Sequence, residues 1–268
     1  MSFVRFAMNQ PEHKFIFLCG LHRSGTTPLF RILRGHPEIS GFHDTGVPED
    51  EGQHLQTVFP AARSFGGPGR FGFVPEAHLT EESTVVTTSN RQKLFEEWSR
   101  HWDLSKRCLL EKSPPNLIRT RFLQALFPNS CFIVLLRHPI AACLATRKWA
   151  DSSLESLMEH WLHCHKLFKM DSAHLKHVHV LRYEDLIRDT NAELATIYRL
   201  LDLPPRLAPA LNPAGNDPYF NTWQQMLVEP TGSEAGRVVQ KVVQKYEHEL
   251  RTYGYSLSEF CPAIFHAQ

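Results

Sequence analysis

The sequence predicts an α/β protein in three layers, a central, mostly parallel sheet flanked by helices on both faces. Three observations predict it. Short runs rich in β-branched and aromatic residues alternate with amphipathic segments, the pattern of strand–helix–strand units. The first of these runs ends in a glycine-containing turn, "CGLHRSGTTP", as expected where a strand gives way to a helix. No internal repeat or low-complexity tract interrupts the alternation.

The elements follow in order. "KFIFLCG" is a strand and "TPLFRILRG", from Thr27, a helix; "EISGF" is a short second strand. The Gly/Pro-rich stretch "AARSFGGPGRFGFVPEAHL", 61–79, is irregular, and a loop of that length in a compact domain is more often functional than neutral. "RCLLEK" is a strand, followed by a helix from Pro115 (PNLIRTRFLQALFP); "CFIVLLRHP" is a strand, followed by a helix from Ile140. A long helix runs from Ser153 to about Met170, and "HVHVLRYED" is the last strand. A helix from Ala192 precedes the irregular "NPAGNDPYFNTWQQMLVEPTG", and a final helix spans about Ser233 to Arg251. We expect one domain over residues 1–268, with irregular loops at about 43–90 and 205–232. Right-handed crossovers would bring the loops after the strands to one sheet edge, where ligands bind.

Composition excludes several classes. At 42% hydrophobic and 21% charged, the 268 residues are ordinary for a soluble globular protein, and a formal charge of +1 leaves no footprint for nucleic acid. The apolar runs are too short to span a bilayer, and the N-terminal stretch lacks the apolar centre of a signal peptide. Six cysteines are scattered without a C-x-x-C pair, which favours a reducing, cytoplasmic compartment. "EHWLHCHKLF" offers His160, His163, Cys164 and His165, but no partner cluster at ligand spacing follows. A wet, polar helix face is the expectation there, with no metal.

The turn after the first strand is nearly the P-loop, G-x-x-x-x-G-K-[ST], with Gly20 and Gly25 in register and Thr26 where lysine should stand. Residues 20–27 would wrap an anion with backbone N–H groups at a helix N-terminus. A kinase would need that lysine and a strand-end aspartate for Mg²⁺, and the strand ends read "EKSP", "LRHP" and "RYED". A donor with less charge than a terminal phosphate tolerates such a loop if Arg23 and a second cation neutralise it. The sulfuryl group of an adenosine 5′-phosphosulfate is one.

At this point the chain resembles the sulfotransferases that use 3′-phosphoadenosine-5′-phosphosulfate (PAPS), in particular the bacterial-type and protein-tyrosine sulfotransferases. "GLHRSGTTPLFRIL" with "HPEI", the block from Glu111 to Trp149, and "VLRYEDLIRDTNAELATIYRLLDLP" recur in that family's order and cover well over half of the chain. The resemblance implies a P-loop-like fold and transfer of the sulfuryl group of PAPS, without a metal, to a hydroxyl (or amine) of a small molecule, glycan or peptide.

It also implies roles for residues. Gly20, Leu21, His22, Arg23, Ser24, Gly25, Thr26 and Thr27 would hold the 5′-phosphosulfate, with Arg23 and Lys112 as catalytic cations. Arg137 would grip the 3′-phosphate. Where the family usually adds a serine, this chain has Ala145; either Thr146 beside it supplies the hydroxyl or this half of the phosphate site is weaker, and Tyr183 would lie near the adenosine or brace the strand end. An ungapped comparison puts Asp44 at the base position of protein-tyrosine sulfotransferases, with His43 alongside and nearer neutrality; Glu51 and His54 are next in order, and Glu49 and Asp50 share the segment. Phe65, Phe71, Phe73, Tyr219, Phe220 and Trp223, in the two irregular regions, would suit an apolar acceptor or pin the loops. Two other readings are a P-loop nucleotide kinase and a non-catalytic nucleotide-binding domain of the same fold.

Overall fold

The computed structural model describes residues 13–230 and 232–260; the N-terminal stretch read above and Cys261 lie outside them. Five strands form one sheet in the order β2-β3-β1-β4-β5: β1 Lys14–Cys19, β2 Ile39–Gly41, β3 Cys108–Lys112, β4 Ser130–Leu136 and β5 Val178–Arg182. Every registered pair is parallel, so the sheet is parallel throughout. All seven residues of β4 are buried, as are all five of β3, because both faces of the sheet are covered. Phe15 and Phe17 point to one face, where their rings meet Phe95, Trp98 and Phe127; Ile16 and Leu18 alternate to the other.

The helices are α1 Thr26–Arg34, α2 Thr88–Ser99, α3 Thr120–Leu126, α4 Pro139–Arg147, α5 Leu154–Ser172, α6 Tyr183–Arg188, α7 Thr190–Leu201, α8 Asp217–Val228 and α9 Glu234–Arg251. In α1, Thr26, Leu29, Phe30 and Leu33 are buried, the i, i+3, i+4, i+7 stripe that seats a helix on a sheet. α4 begins with Pro139, which needs no partner for a missing N–H, and the His138 side chain caps the Ile140 N–H. Ser153, Asp189 and Ser233 cap α5, α7 and α9 in the same way.

Four expectations need correction. The region at about 205–232 contains a three-turn helix, α8, whose Phe220 and Trp223 are buried at i and i+3; its flanking Pro, Gly and Asn obscure it in the sequence. α2 begins where the first irregular region ends and gives no amphipathic signal in the sequence, because only Leu94 and Trp98 of its twelve residues are buried. The helix read from Pro115 is broken. Residues Pro114–Ile118 form a 3₁₀ turn, Arg119 leaves helical geometry at φ −134°, and α3 starts at Thr120. The histidine-rich face of α5 is dry: His160, Cys164 and His165 are all buried, and His160 Nε2 accepts the Gly72 N–H at 3.1 Å. Among the described residues no group of His, Cys, Asp and Glu is placed to hold a metal. The cysteines at 19, 108, 131, 143 and 164 are buried, unpaired thiols. No helix among the described residues is long and apolar enough to cross a membrane.

Candidate active site

Strand register brings the chemistry to one edge. Leu18 pairs with Lys112, Cys19 with Val134, and Leu136 with Arg182, so Gly20, Lys112, Arg137 and Tyr183 leave the sheet side by side. The turn from β1 to α1 is tight: a Cβ on Gly20 would come within 2.7 Å of the Leu135 carbonyl, and one on Gly25 would overlap the Tyr183 ring. Arg23 itself sits at φ +67°, in the left-handed region. α1 therefore begins without a side-chain cap, its first N–H groups directed into the turn.

The cleft at this edge has a volume of about 360 Å³. His22, Arg23, Gly25, Thr26, Thr27, Arg137, Thr146 and Tyr183 line it, together with Glu49, Glu51 and Trp149. Of the loop, Gly20, Leu21 and Ser24 are buried beneath this surface. Arg137 is held on every nitrogen: Nε to Asn216 Oδ1 at 2.8 Å, Nη1 to the Arg23 carbonyl and Nη2 to the Gly215 carbonyl, both at 2.7 Å. Its guanidinium lies 4.4 Å from the Tyr183 ring centroid and 5.3 Å from that of Tyr219. Burial lowers the Arg137 pKa, yet an arginine stays charged, so the cleft keeps a fixed cation. Thr146 Oγ1 donates to the Ala142 carbonyl at 2.7 Å, and its residue faces the cleft one helical turn before Trp149. Arg23 lies 5.7 Å over the Trp149 ring.

Lys112 is buried, and its Nζ donates to the Glu49 carbonyl at 3.0 Å and to Glu51 Oε1 at 3.2 Å. Thr27 Oγ1 reaches Glu49 Oε2 at 3.1 Å, tying the glycine turn to the segment after β2. Glu51 lines the cleft, while Lys112 lies buried behind it and outside the lining, so of the two expected catalytic cations Arg23 alone reaches the cleft surface. Burial, with Lys112 and His54 nearby, pushes the His22 imidazole down to about 3. His54 lies 3.9 Å from Glu51 Oε2, and burial lowers its pKa too.

Two expected residues stand elsewhere. Asp44 and His43 do not line the cleft: their side chains are 84% and 60% exposed and pair with each other at 3.0 Å. The segment from β2 turns through left-handed residues at Asp44, Glu49 and Asp50, and the acids it delivers to the cleft are Glu49, which accepts from Thr27 Oγ1, and Glu51, which pairs with Lys112. The six aromatics also differ from an acceptor lining. Phe71, Phe220 and Trp223 belong to the core, and none of the six borders the cleft. Gly215, Asn216 and Trp149 had no role assigned from the sequence. An Asn buried in a Gly/Pro-rich stretch gives no periodic signal, and only the Arg137 pairing reveals it.

The profile of the sulfotransferase family matches residues 16–207. Similar proteins include protein-tyrosine sulfotransferase 2 of Gallus gallus, 29% identical over 140 residues, which cover 51% of this chain and 35% of that one. A protein-tyrosine sulfotransferase of Drosophila melanogaster is 26% identical over 202 residues, covering 72% and 39%. The chain thus spans well under half the length of these two relatives. Among solved structures, a sulfotransferase of Mycobacterium avium superposes over 90% of this chain and 77% of its own, with a TM-score of 0.51 at 16% identity, a likeness of fold.

Proposed function

The chain belongs to the sulfotransferase family, and on that premise we propose that it transfers the sulfuryl group of PAPS to a hydroxyl acceptor, with Glu51 as the general base. One observation carries this reading: Glu51, held by the buried Lys112, lines a cleft together with Thr26 and Thr27 of the uncapped α1 N-terminus and with Arg23 and Arg137. The residues present fit the donor. The α1 N-terminus, Thr26 and Thr27 suit the 5′-phosphosulfate, and Arg137 with Thr146 suits the 3′-phosphate. Threonine at position 26 leaves the loop one cation short of what ATP requires, which favours PAPS over the kinase reading.

Bound there, PAPS supplies an activated sulfuryl group whose S–O bond to phosphate breaks as the acceptor O–S bond forms. Glu51 takes the acceptor's proton; Lys112 and Arg23 stabilise the negative charge that gathers on the departing phosphate oxygen. The product of the donor is 3′-phosphoadenosine-5′-phosphate. The names of the relatives make a phenolic hydroxyl, on a peptide or a small molecule, the first acceptor to test. The unpaired buried thiols support a reducing compartment such as the cytoplasm.

Thermal melting with 3′-phosphoadenosine-5′-phosphate, ATP, or ATP with Mg²⁺ tests the donor. At a hundredfold excess over Kd the bisphosphate should stabilise the protein by about 2.7 kcal/mol; stabilisation by ATP–Mg²⁺ alone would sink the proposal. Transfer of ³⁵S-sulfuryl from PAPS to phenols tests the reaction itself. Glu51→Gln should lower kcat by roughly 10²- to 10⁴-fold with donor binding retained. A near-normal rate in that variant, with Asp44→Ala inactive, would return the base to Asp44.

A further inference from the structure

We propose that Gln53 is a positioning residue for the reaction, fixing the Glu51 carboxylate through a hydrogen bond that registers it to the strand carrying Lys112; this rests on the reading of Glu51 as base. Gln53 is buried, 3% exposed, although a glutamine on a loop ordinarily points to water. Its Nε2 donates to Glu51 Oε2 at 2.5 Å, and its Oε1 accepts the Ala62 N–H at 2.8 Å. The Ala62 partner can only donate, so the amide has one orientation, and its NH₂ end must face the carboxylate.

The backbone of the same residue is tied down as well. The Gln53 N–H donates to Ser113 Oγ at 2.9 Å, and Ser113 Oγ donates to Glu111 Oε1 at 2.5 Å. Asn116 Nδ2 closes the network on the other Glu111 oxygen. Glu111 and Lys112 are consecutive residues of β3. One strand end therefore holds both members of the Lys112–Glu51 pair: the lysine directly, the carboxylate through Ser113 and Gln53. The approach is so close that a Cβ on Gly52 would come within 2.5 Å of Glu111. With Oε1 on Lys112 and Oε2 on Gln53, the carboxylate cannot rotate freely. Gln53 is thus a hold on the base that is independent of Lys112.

The test is a double-mutant cycle in kcat. Gln53→Met, which removes the donor at similar volume, should cost roughly 10- to 100-fold in kcat, the scale of a sub-ångström misplacement of a reacting group. The Kd for 3′-phosphoadenosine-5′-phosphate should change less than about twofold, since Gln53 lies outside the phosphate-binding loop. In a Glu51→Gln background the same substitution should cost almost nothing, because there is no base left to position. Equal losses in both backgrounds would show a merely structural role and overturn the proposal, as would a Gln53→Met enzyme of normal kcat beside an inactive Glu51→Gln. A Glu51→Gln enzyme of normal rate would overturn the base assignment, and the positioning role with it. Should Gln53→Met fail to fold, Gln53→Glu keeps the shape and the acceptor for Ala62. Its kcat relative to wild type should rise as pH falls and a shared proton replaces the amide donor; a flat ratio would count against the proposal.

Discussion

Two stretches flank the cleft without belonging to the sheet, and they are ordered by different means. Residues 43–87 contain no helix longer than four residues, yet Glu51, Gln53, Phe59, Ala62, Phe71 and Ala77 are buried. Short turns pair many of their backbone groups locally, and three carbonyls are taken by long side chains from below. Arg119, wholly buried, donates to the carbonyls of Ala77 and Pro60, both at 3.1 Å, and Trp98 Nε1 donates to that of Gly52 at 3.0 Å. Residues 203–228 do the opposite. The connecting chain is largely exposed, with Leu207 at 81%, and order comes from one helix, α8, pinned by Trp223 through its ring and its Nε1 bond to the Leu257 carbonyl at 2.8 Å. A wall without regular structure persists where buried polar side chains satisfy its backbone, and a helix does the same work internally.

The comparison can be broken most forcefully with acid. Burial pushes His22, His138 and His160 down to about 3 and His165 to about 4. These rings are neutral in the fold but take a proton once unfolded, near 6.5, so their stabilisation is complete above that pH and lost as pH falls below it. Each then costs about 1.4 kcal/mol per pH unit. Glu111 runs the other way: burial pushes it up to about 7, so its contribution grows as pH falls below that value. The urea midpoint should therefore drop steeply between pH about 6.5 and 5, and Glu111→Gln should make the drop steeper. His160 lies under the first stretch, where Phe71 meets it at 4.8 Å, and His138 under the second, against Phe220 at 4.9 Å. Replacing either should remove its share of the slope; a slope unchanged by both would refute this account.

Smaller effects discriminate the two regions. Trp223→Ala should cost about 4 kcal/mol of stability by emptying the anchor of α8, and the loss of the Arg137 brace at Asn216 should loosen donor binding with it, seen as a raised Kd. Arg119→Met should cost about 2–3 kcal/mol by stranding two carbonyls, and should raise amide exchange in residues 59–77 and not in α8. If exchange rises equally in both, the two regions are not independently held. Leu207→Ser should change stability by less than about 0.5 kcal/mol, as an exposed side chain with no partner to lose.

Much of this was legible in advance. The sheet declared itself because β1 and β4 are nearly continuous apolar runs, although β3 ends in the buried Glu111 and Lys112, and the glycine turn because Gly20 and Gly25 stand at P-loop spacing. The floor of the cleft was harder. Asp44 and Glu51 share one short acidic segment, and which of them reaches the cleft depends on left-handed turns at Asp44, Glu49 and Asp50, residue types that do not demand that conformation. The dry face of α5 was misread for a related reason. His160 and His165 count as polar in any pattern, but His160 Nε2 takes the Gly72 N–H and His165 Nδ1 meets the Trp161 carbonyl inside, while His165 Nε2 is buried without a partner.

The buried thiols give the molecule an intrinsic clock. Cys19, Cys108, Cys131 and Cys143 sit on or against the sheet and Cys164 on α5, and burial raises all five, Cys108 to about 11 and Cys131 to about 12. A thiol in that condition reacts with an alkylating reagent only when its surroundings open. In a Cys261→Ser background, labelling kinetics would time the opening of the sheet separately from that of α5, without a dye, a tag or a denaturant.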